Sequence, residues 1–174
     1  MKSKLAIAGH PLHPMLVTVP VGLFVWAFVA DIVYLATDKD RMWYDISFWS
    51  GVAAIVTALV AAVAGLVDYL TVAVRTEARG MATAHMLLNV TVVALYFIAM
   101  LLMRDGGALE GGNLTLVVAL HAIGAGLLSA SGWIGGEMSY RHHLAIIPDD
   151  GELEAAENRR HLVSGELRGG FRMR

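Results

Sequence analysis

Apolar residues run along this chain in four long blocks separated by short polar joints. A helix rising 1.5 Å per residue needs about 20 residues to cross a hydrocarbon core of about 30 Å. The blocks meet that length and predict spanning helices over residues 15–37, 46–74, 81–103 and 113–136. The joints DKDRMWYD, RTEARG and RDGGALEGG are polar or rich in turn formers, and each is too short to be a domain. The predicted fold is all-α, a transmembrane up-down-up-down four-helix bundle over residues 1–143, with a polar tail over residues 144–174.

Within each block the helical period sorts residues onto faces. The second span carries Gly51, Ala54, Ala58, Ala61, Gly65 and Asp68 at alternating steps of three and four, which makes one small-residue face. In lipid such a face is a packing seam, because close backbone contact drives helix association there. The first span aligns His13, Val17, Pro20, Phe24, Ala27 and Asp31. The third aligns His85, Asn89, Val92, Tyr96 and Met103, and the fourth His121, Gly124, Leu128, Gly132 and Gly135. Every span therefore places its ionisable groups on a small or polar stripe. At membrane depth a charged side chain costs about 2.5–3.5 kcal/mol on insertion scales, so such groups face the protein interior.

Composition agrees with lipid as the solvent: 57% of residues are hydrophobic and 16% charged. A net charge of -2 offers no basic stripe, which argues against a nucleic-acid partner. Cysteine is absent, which excludes disulfides, thiolate-held iron–sulfur clusters and covalently attached haem, so a redox cofactor would be held by His, carboxylate or Met. The opening MKSKLAIAGHPLHP lacks the apolar core and cleavage site of a secretory signal, so the first span is expected to stay in the mature protein. Calling the side of the N-terminus side A, Lys2, Lys4, Arg75, Arg79 and Arg141 lie there, with further arginines in the tail, against Lys39, Arg41 and Arg104 on side B. The positive-inside rule makes side A cytoplasmic, with both termini inside and the tail a solvated or membrane-surface segment.

Two polar layers follow from the rise per residue. Near side A, His13, His85 and Asp68 come to similar depth, with His10, Asn89, Glu137, Tyr140, His142 and His143 close to the same face. Deeper, roughly 20–25 Å from side A, Asp31, Tyr96 and His121 on three helices form a second layer. A single histidine cannot supply two haem ligands there, and an Asp–His–Tyr hydrogen-bond cluster is the preferred reading, a proton path or quinol contact the sharper one. At the entry, HPLHP holds the residues before its prolines extended, which would aim His10 and His13 the same way about 9 Å apart.

The stretches GHPLHPMLVTVPVGLF, GLVDYL, HMLLN and SGWIGGEMSYRHH resemble the bacterial membrane domain catalogued as domain of unknown function 2231, over about residues 9–143. The resemblance implies a four-helix bacterial inner-membrane protein, sometimes joined in one chain to a Rieske-type iron–sulfur domain, and hence a redox setting. The matching positions are His10, His13, Asp68, His85, Gly136, Glu137 and His142. One departure stands out: this chain reads LVTVP where members often read LVHFP, with Thr18 in place of a histidine.

Three functions compete. In the first, the chain is a b-type haem electron-transfer protein with axial His13 and His85 from diagonal helices, and His10 and His142 nearby. In the second, His10, His13 and His85 with Asp68 or Glu137 hold zinc, iron or copper. In the third, the chain is an accessory or assembly subunit of a larger complex, or a homo-oligomer, with structural histidines. Expected partners are membrane lipids and a redox protein or quinone. No phosphate-cradling loop or nucleophile elbow points to hydrolase or nucleotide chemistry, and catalysis stays open.

Overall fold

The computed structural model describes residues 5–8, 10–71, 78–104, 112–141 and 159. Among these residues an antiparallel pair of two-residue strands, β1 (Ala6–Ile7) and β2 (His10–Pro11), precedes five helices: α1 (Leu12–Leu16), α2 (Thr18–Ala36), α3 (Arg41–Thr71), α4 (Arg79–Met103) and α5 (Gly112–Tyr140). Helices α1 and α2 join into one span, giving four helices long and apolar enough to cross a membrane: Leu12–Ala36, Arg41–Thr71, Arg79–Met103 and Asn113–Tyr140. No more than 28% of the most apolar window of any span is buried inside the protein. The remaining apolar surface, including Val19, Trp26, Val63, Val90 and Trp133, faces outward, which is how a bundle in lipid differs from a water-soluble one.

Neighbouring helices alternate in direction. At one end the last turn of α4 meets the first of α3, where the Tyr44 hydroxyl donates to the Met103 carbonyl at 2.5 Å. At the other, α1 meets the second half of α3, and the start of α4 meets the second half of α5. Helix α2 packs on α3 and α4 on α5, with the pairs α3–α4 and α2–α5 closing the ring. This leaves α2 and α4 diagonal. An apolar layer of Phe24, Ala27, Ala54, Ile55, Val92 and Leu128 fills the centre. A second, of Tyr34, Tyr44, Ala99, Met103 and Val117, fills the end of the bundle on side B.

The predicted faces lie inward with one exception. Pro20, Phe24, Ala27 and Asp31 of α2, Gly51, Ala54 and Ala61 of α3, and Val92, Tyr96 and Met103 of α4 are all buried. On α5, Gly132 is exposed and Ser131 takes its place beside Leu128. The actual seam steps by three and four through His121, Gly124, Leu128, Ser131 and Gly135.

Two boundaries differ from expectation for local reasons. Helix α3 starts at Arg41 rather than at residue 46, because Asp40 caps it: its carboxylate accepts the Met42 N–H at 2.9 Å. Asp38 and Lys39 turn the chain in left-handed conformation, with φ of 49° and 62°. The Arg41–Asp45 ion pair, one turn apart at 3.0 Å, then supports the first turn. The HPLHP segment divides instead of running extended throughout. His10 is in β2, whereas His13 is helical: Pro11 is the N-cap residue, with ψ of 131°, and Pro14 falls in the first turn of α1. A proline is tolerated there because first-turn N–H groups have no partner within the helix.

Candidate functional site

His13 and His85 meet at the end of the bundle on side A. Their ring centroids are 6.4 Å apart and their planes nearly perpendicular, at 89°. The first comes from α1 and the second from the start of α4, so two segments 72 residues apart in sequence (85 − 13) converge on one place. Each imidazole is anchored through the same atom. His13 Nδ1 lies 3.0 Å from the Ala61 carbonyl of α3, and His85 Nδ1 lies 2.9 Å from the Ser131 carbonyl of α5. A carbonyl only accepts, so Nδ1 is the donor in both rings, and each ring in its neutral form presents Nε2 as a lone pair. Among the described residues neither Nε2 has a hydrogen-bond partner.

Glycine makes both placements physically feasible. A Cβ on Gly65 would stand 2.7 Å from His13 Cε1 and 2.8 Å from Nδ1, inside the closest approach atoms tolerate. One on Gly135 would stand 3.2 Å from His85 Cε1. The small-residue seam of α3 therefore ends as a seat for an imidazole. Around it, the Asn89 amide donates to the His85 carbonyl at 2.7 Å and to the Ser131 hydroxyl at 2.6 Å. The same hydroxyl is 2.9 Å from His85 Nδ1.

The other expected ligands stand differently. His10 is exposed, with Nδ1 3.1 Å from the Ala8 carbonyl. Glu137, half-buried, is paired with Arg141 at 2.8 Å, and Asp68 is half-buried and already engaged in a polar contact. Among the described residues no three His, Asp or Glu side chains gather closely enough to hold one ion. His142, and all of the expected tail except Arg159, lie outside the described residues. Thr18, where the resemblance leads to the expectation of a histidine, is exposed and donates to the Met15 carbonyl at 2.8 Å, off the inward stripe.

In the deeper layer, Asp31 of α2 and His121 of α5 are both buried, with His121 Nδ1 2.6 Å from Asp31 Oδ2. The Ser47 hydroxyl donates to Oδ1 at 2.5 Å. Tyr96 stacks on the His121 ring, centroids 4.2 Å apart and planes 15° from parallel. Its hydroxyl donates to the Phe24 carbonyl at 2.8 Å rather than to the carboxylate, so tyrosine joins the cluster by ring contact. A Cβ on Gly124 would stand 2.6 Å from the Tyr96 ring, which gives this glycine its reason.

Ser47 and Ser131 complete the two layers, and sequence reasoning passed over both. The signal was present: Ser47 is one turn before Gly51 on the α3 stripe, and Ser131 sits between Leu128 and Gly135 on the α5 stripe.

No curated protein and no solved structure matches this chain. One family model does, described as "Predicted membrane protein (DUF2231)", over residues 9–148, a region that takes in every residue of both polar layers. With four apolar helices of spanning length and a match over most of its sequence, the chain belongs to this family of membrane proteins.

Proposed function

We propose that His13 and His85 are a ligand pair for a b-type haem, and that the chain is an electron-transfer protein of the bacterial inner membrane with side A in the cytoplasm. The observation that carries this reading is the shared anchoring of the two rings. A metal-bound histidine characteristically donates its other ring N–H to a carbonyl or carboxylate, which fixes the tautomer and raises the basicity of the free nitrogen. Both imidazoles are held that way, by Ala61 and Ser131. Their separation also suits the donor set. The ring centroids are 6.4 Å apart, close enough for both imidazoles to serve one small site.

In this reading Gly65 and Gly135 keep the rings where they are, and Asn89 with Ser131 holds the His85 backbone and ring together. Bound haem would supply one-electron chemistry, with a quinone or a redox protein as exchange partner. Two neutral imidazoles also suit zinc, iron or copper without haem, the related second reading.

The test is titration of the purified full-length protein with hemin and, separately, with each divalent metal. Stoichiometric hemin uptake, lost in His13→Ala and in His85→Ala, supports haem. Uptake of a bare ion with the same dependence supports the metal reading. Binding that ignores both substitutions overturns the site.

A further inference from the structure

The start of α3 and the end of α4 meet at the side-B end of the bundle, and between them opens a cleft of about 220 Å³ that neither polar layer uses. Its floor is buried: Tyr44 and Met103, tied together by the Tyr44 hydroxyl on the Met103 carbonyl. Its walls are exposed and charged. Arg41 and Asp45 come from α3 and Arg104 from the end of α4, and Phe48 and Trp49 follow one turn further along α3.

The charges of the lining are two guanidiniums against one carboxylate. Arg41 Nε donates to Asp45 Oδ1 at 3.0 Å, and its Cζ lies 5.2 Å from the centre of the Tyr44 ring, which holds the guanidinium over the floor. A guanidinium has five N–H donors, so Arg41 keeps donors to spare, as does Arg104 beyond the contact it already makes. Asp40, the neighbouring acid, is occupied as the cap of α3. The forked donors of arginine match phosphate oxygens two at a time. A cleft of this volume is smaller than the roughly 300–1,000 Å³ that encloses a whole small molecule, so it suits a ligand gripped at one end.

Depth places the rest of that ligand. Helix α3 has 31 residues, about 46 Å of rise, against a hydrocarbon core of about 30 Å, so a centred α3 reaches about 8 Å beyond the core at each end. Arg41, its first residue, then stands in the headgroup layer. Arg41, Asp45 and Trp49 follow at steps of four on one face of α3, and the eight residues between first and last carry that line about 12 Å, to just inside the hydrocarbon. Trp49 is 65% exposed, its ring edge-on to Phe48 with centroids 5.2 Å apart. Guanidiniums at the level of the phosphates and an exposed indole below them repeat the order of groups along a phospholipid. A free phosphate would use only the upper half.

We propose that this cleft binds one anionic phospholipid of the side-B leaflet, its phosphodiester held between Arg41 and Arg104 and its glycerol and upper acyl chain lying along Phe48 and Trp49. Asp45 holds Arg41 in place. With guanidiniums outnumbering carboxylate in the lining, a headgroup of net negative charge is preferred to a zwitterion, whose ammonium would meet a cation of its own sign. The site is independent of the His13–His85 reading.

Native mass spectrometry of the full-length protein, released from micelles that hold phosphatidylglycerol and phosphatidylcholine in equal amounts, gives the test. One phosphatidylglycerol is expected to stay on each chain, in preference to phosphatidylcholine. At about 1 kcal/mol for each arginine near a membrane surface, Arg41→Gln and Arg104→Gln are each expected to lower its retention about fivefold, and Arg79→Gln at the opposite end to leave it unchanged. Inorganic phosphate added to the micelles is expected not to displace it. Should either cleft variant not accumulate, the wild type still decides, because equal retention of the two lipids denies the charge preference. Equal retention, retention that survives both cleft substitutions, or displacement by inorganic phosphate overturns the proposal.

Discussion

The imidazole of His13 rests on the backbone of Gly65: a single added carbon there would lie 2.7 Å from its Cε1. The contact joins the packing of the bundle to its chemistry, because the seam that brings α3 close to its neighbours also gives the ring its seat. Gly65→Ala is therefore expected to push His13 off the Ala61 carbonyl and to lower stability by about 1–3 kcal/mol, the usual cost of overpacking. Gly22→Ala, with nothing within 4 Å, is expected to be neutral. Thermal denaturation in detergent compares the two, and equal tolerance would mean that the ring does not sit there.

Removing the carboxylate from a buried hydrogen-bonded pair strands its partners, and broken buried ion pairs cost about 3–5 kcal/mol. Asp31→Ala is expected to fall in that range, since its carboxylate serves both His121 and Ser47. The double variant Asp31→Leu with His121→Phe is expected to be more stable than Asp31→Ala alone. A double-mutant cycle reads the coupling, and additive losses would deny the contact.

Ser131→Ala removes one hydroxyl shared by Asn89 and His85. Hydrogen bonds between membrane helices average about 0.6 kcal/mol and reach about 1.7. A small stability loss is expected, with a larger effect on ligand uptake at His85 than on the melt. A variant that loses stability but binds hemin unchanged would assign Ser131 to packing alone.

Topology is open to a direct check. The excess of arginine and lysine at the end holding the N-terminus predicts that reporters fused to either terminus behave as cytoplasmic. A C-terminal fusion active only in the periplasm would reverse the orientation.

Much of this was legible in the sequence because lipid imposes simple rules. Apolar blocks of sufficient length had to be helices, and the 3.6 period placed Asp31, His121 and Tyr96 inward at one depth, where they do meet. The same reasoning placed His13 and His85 on inward faces at the side-A end. It missed what short side chains do. Ser47 and Ser131 are small enough to pass as packing residues, and only the folded bundle brings their hydroxyls to Asp31 and Asn89. It also misread the entry: the rule that residues before proline avoid helix yields in a first turn, where Pro14 lacks only an N–H the helix would not use. The early start of α3 was hidden because RMWYD reads as a polar joint, whereas Asp40 makes it a capped helix.

The central claim, a ligand pair made by His13 and His85, is tested most directly by the reduced-minus-oxidised absorption spectrum of the purified protein, wild type beside His13→Ala, His85→Ala and the tail variant His161→Ala. The account predicts a b-type haem band in the wild type and in His161→Ala, and its loss or shift in both of the other variants. A wild-type protein that shows no such band after hemin is supplied, or a band that survives both substitutions, would contradict it.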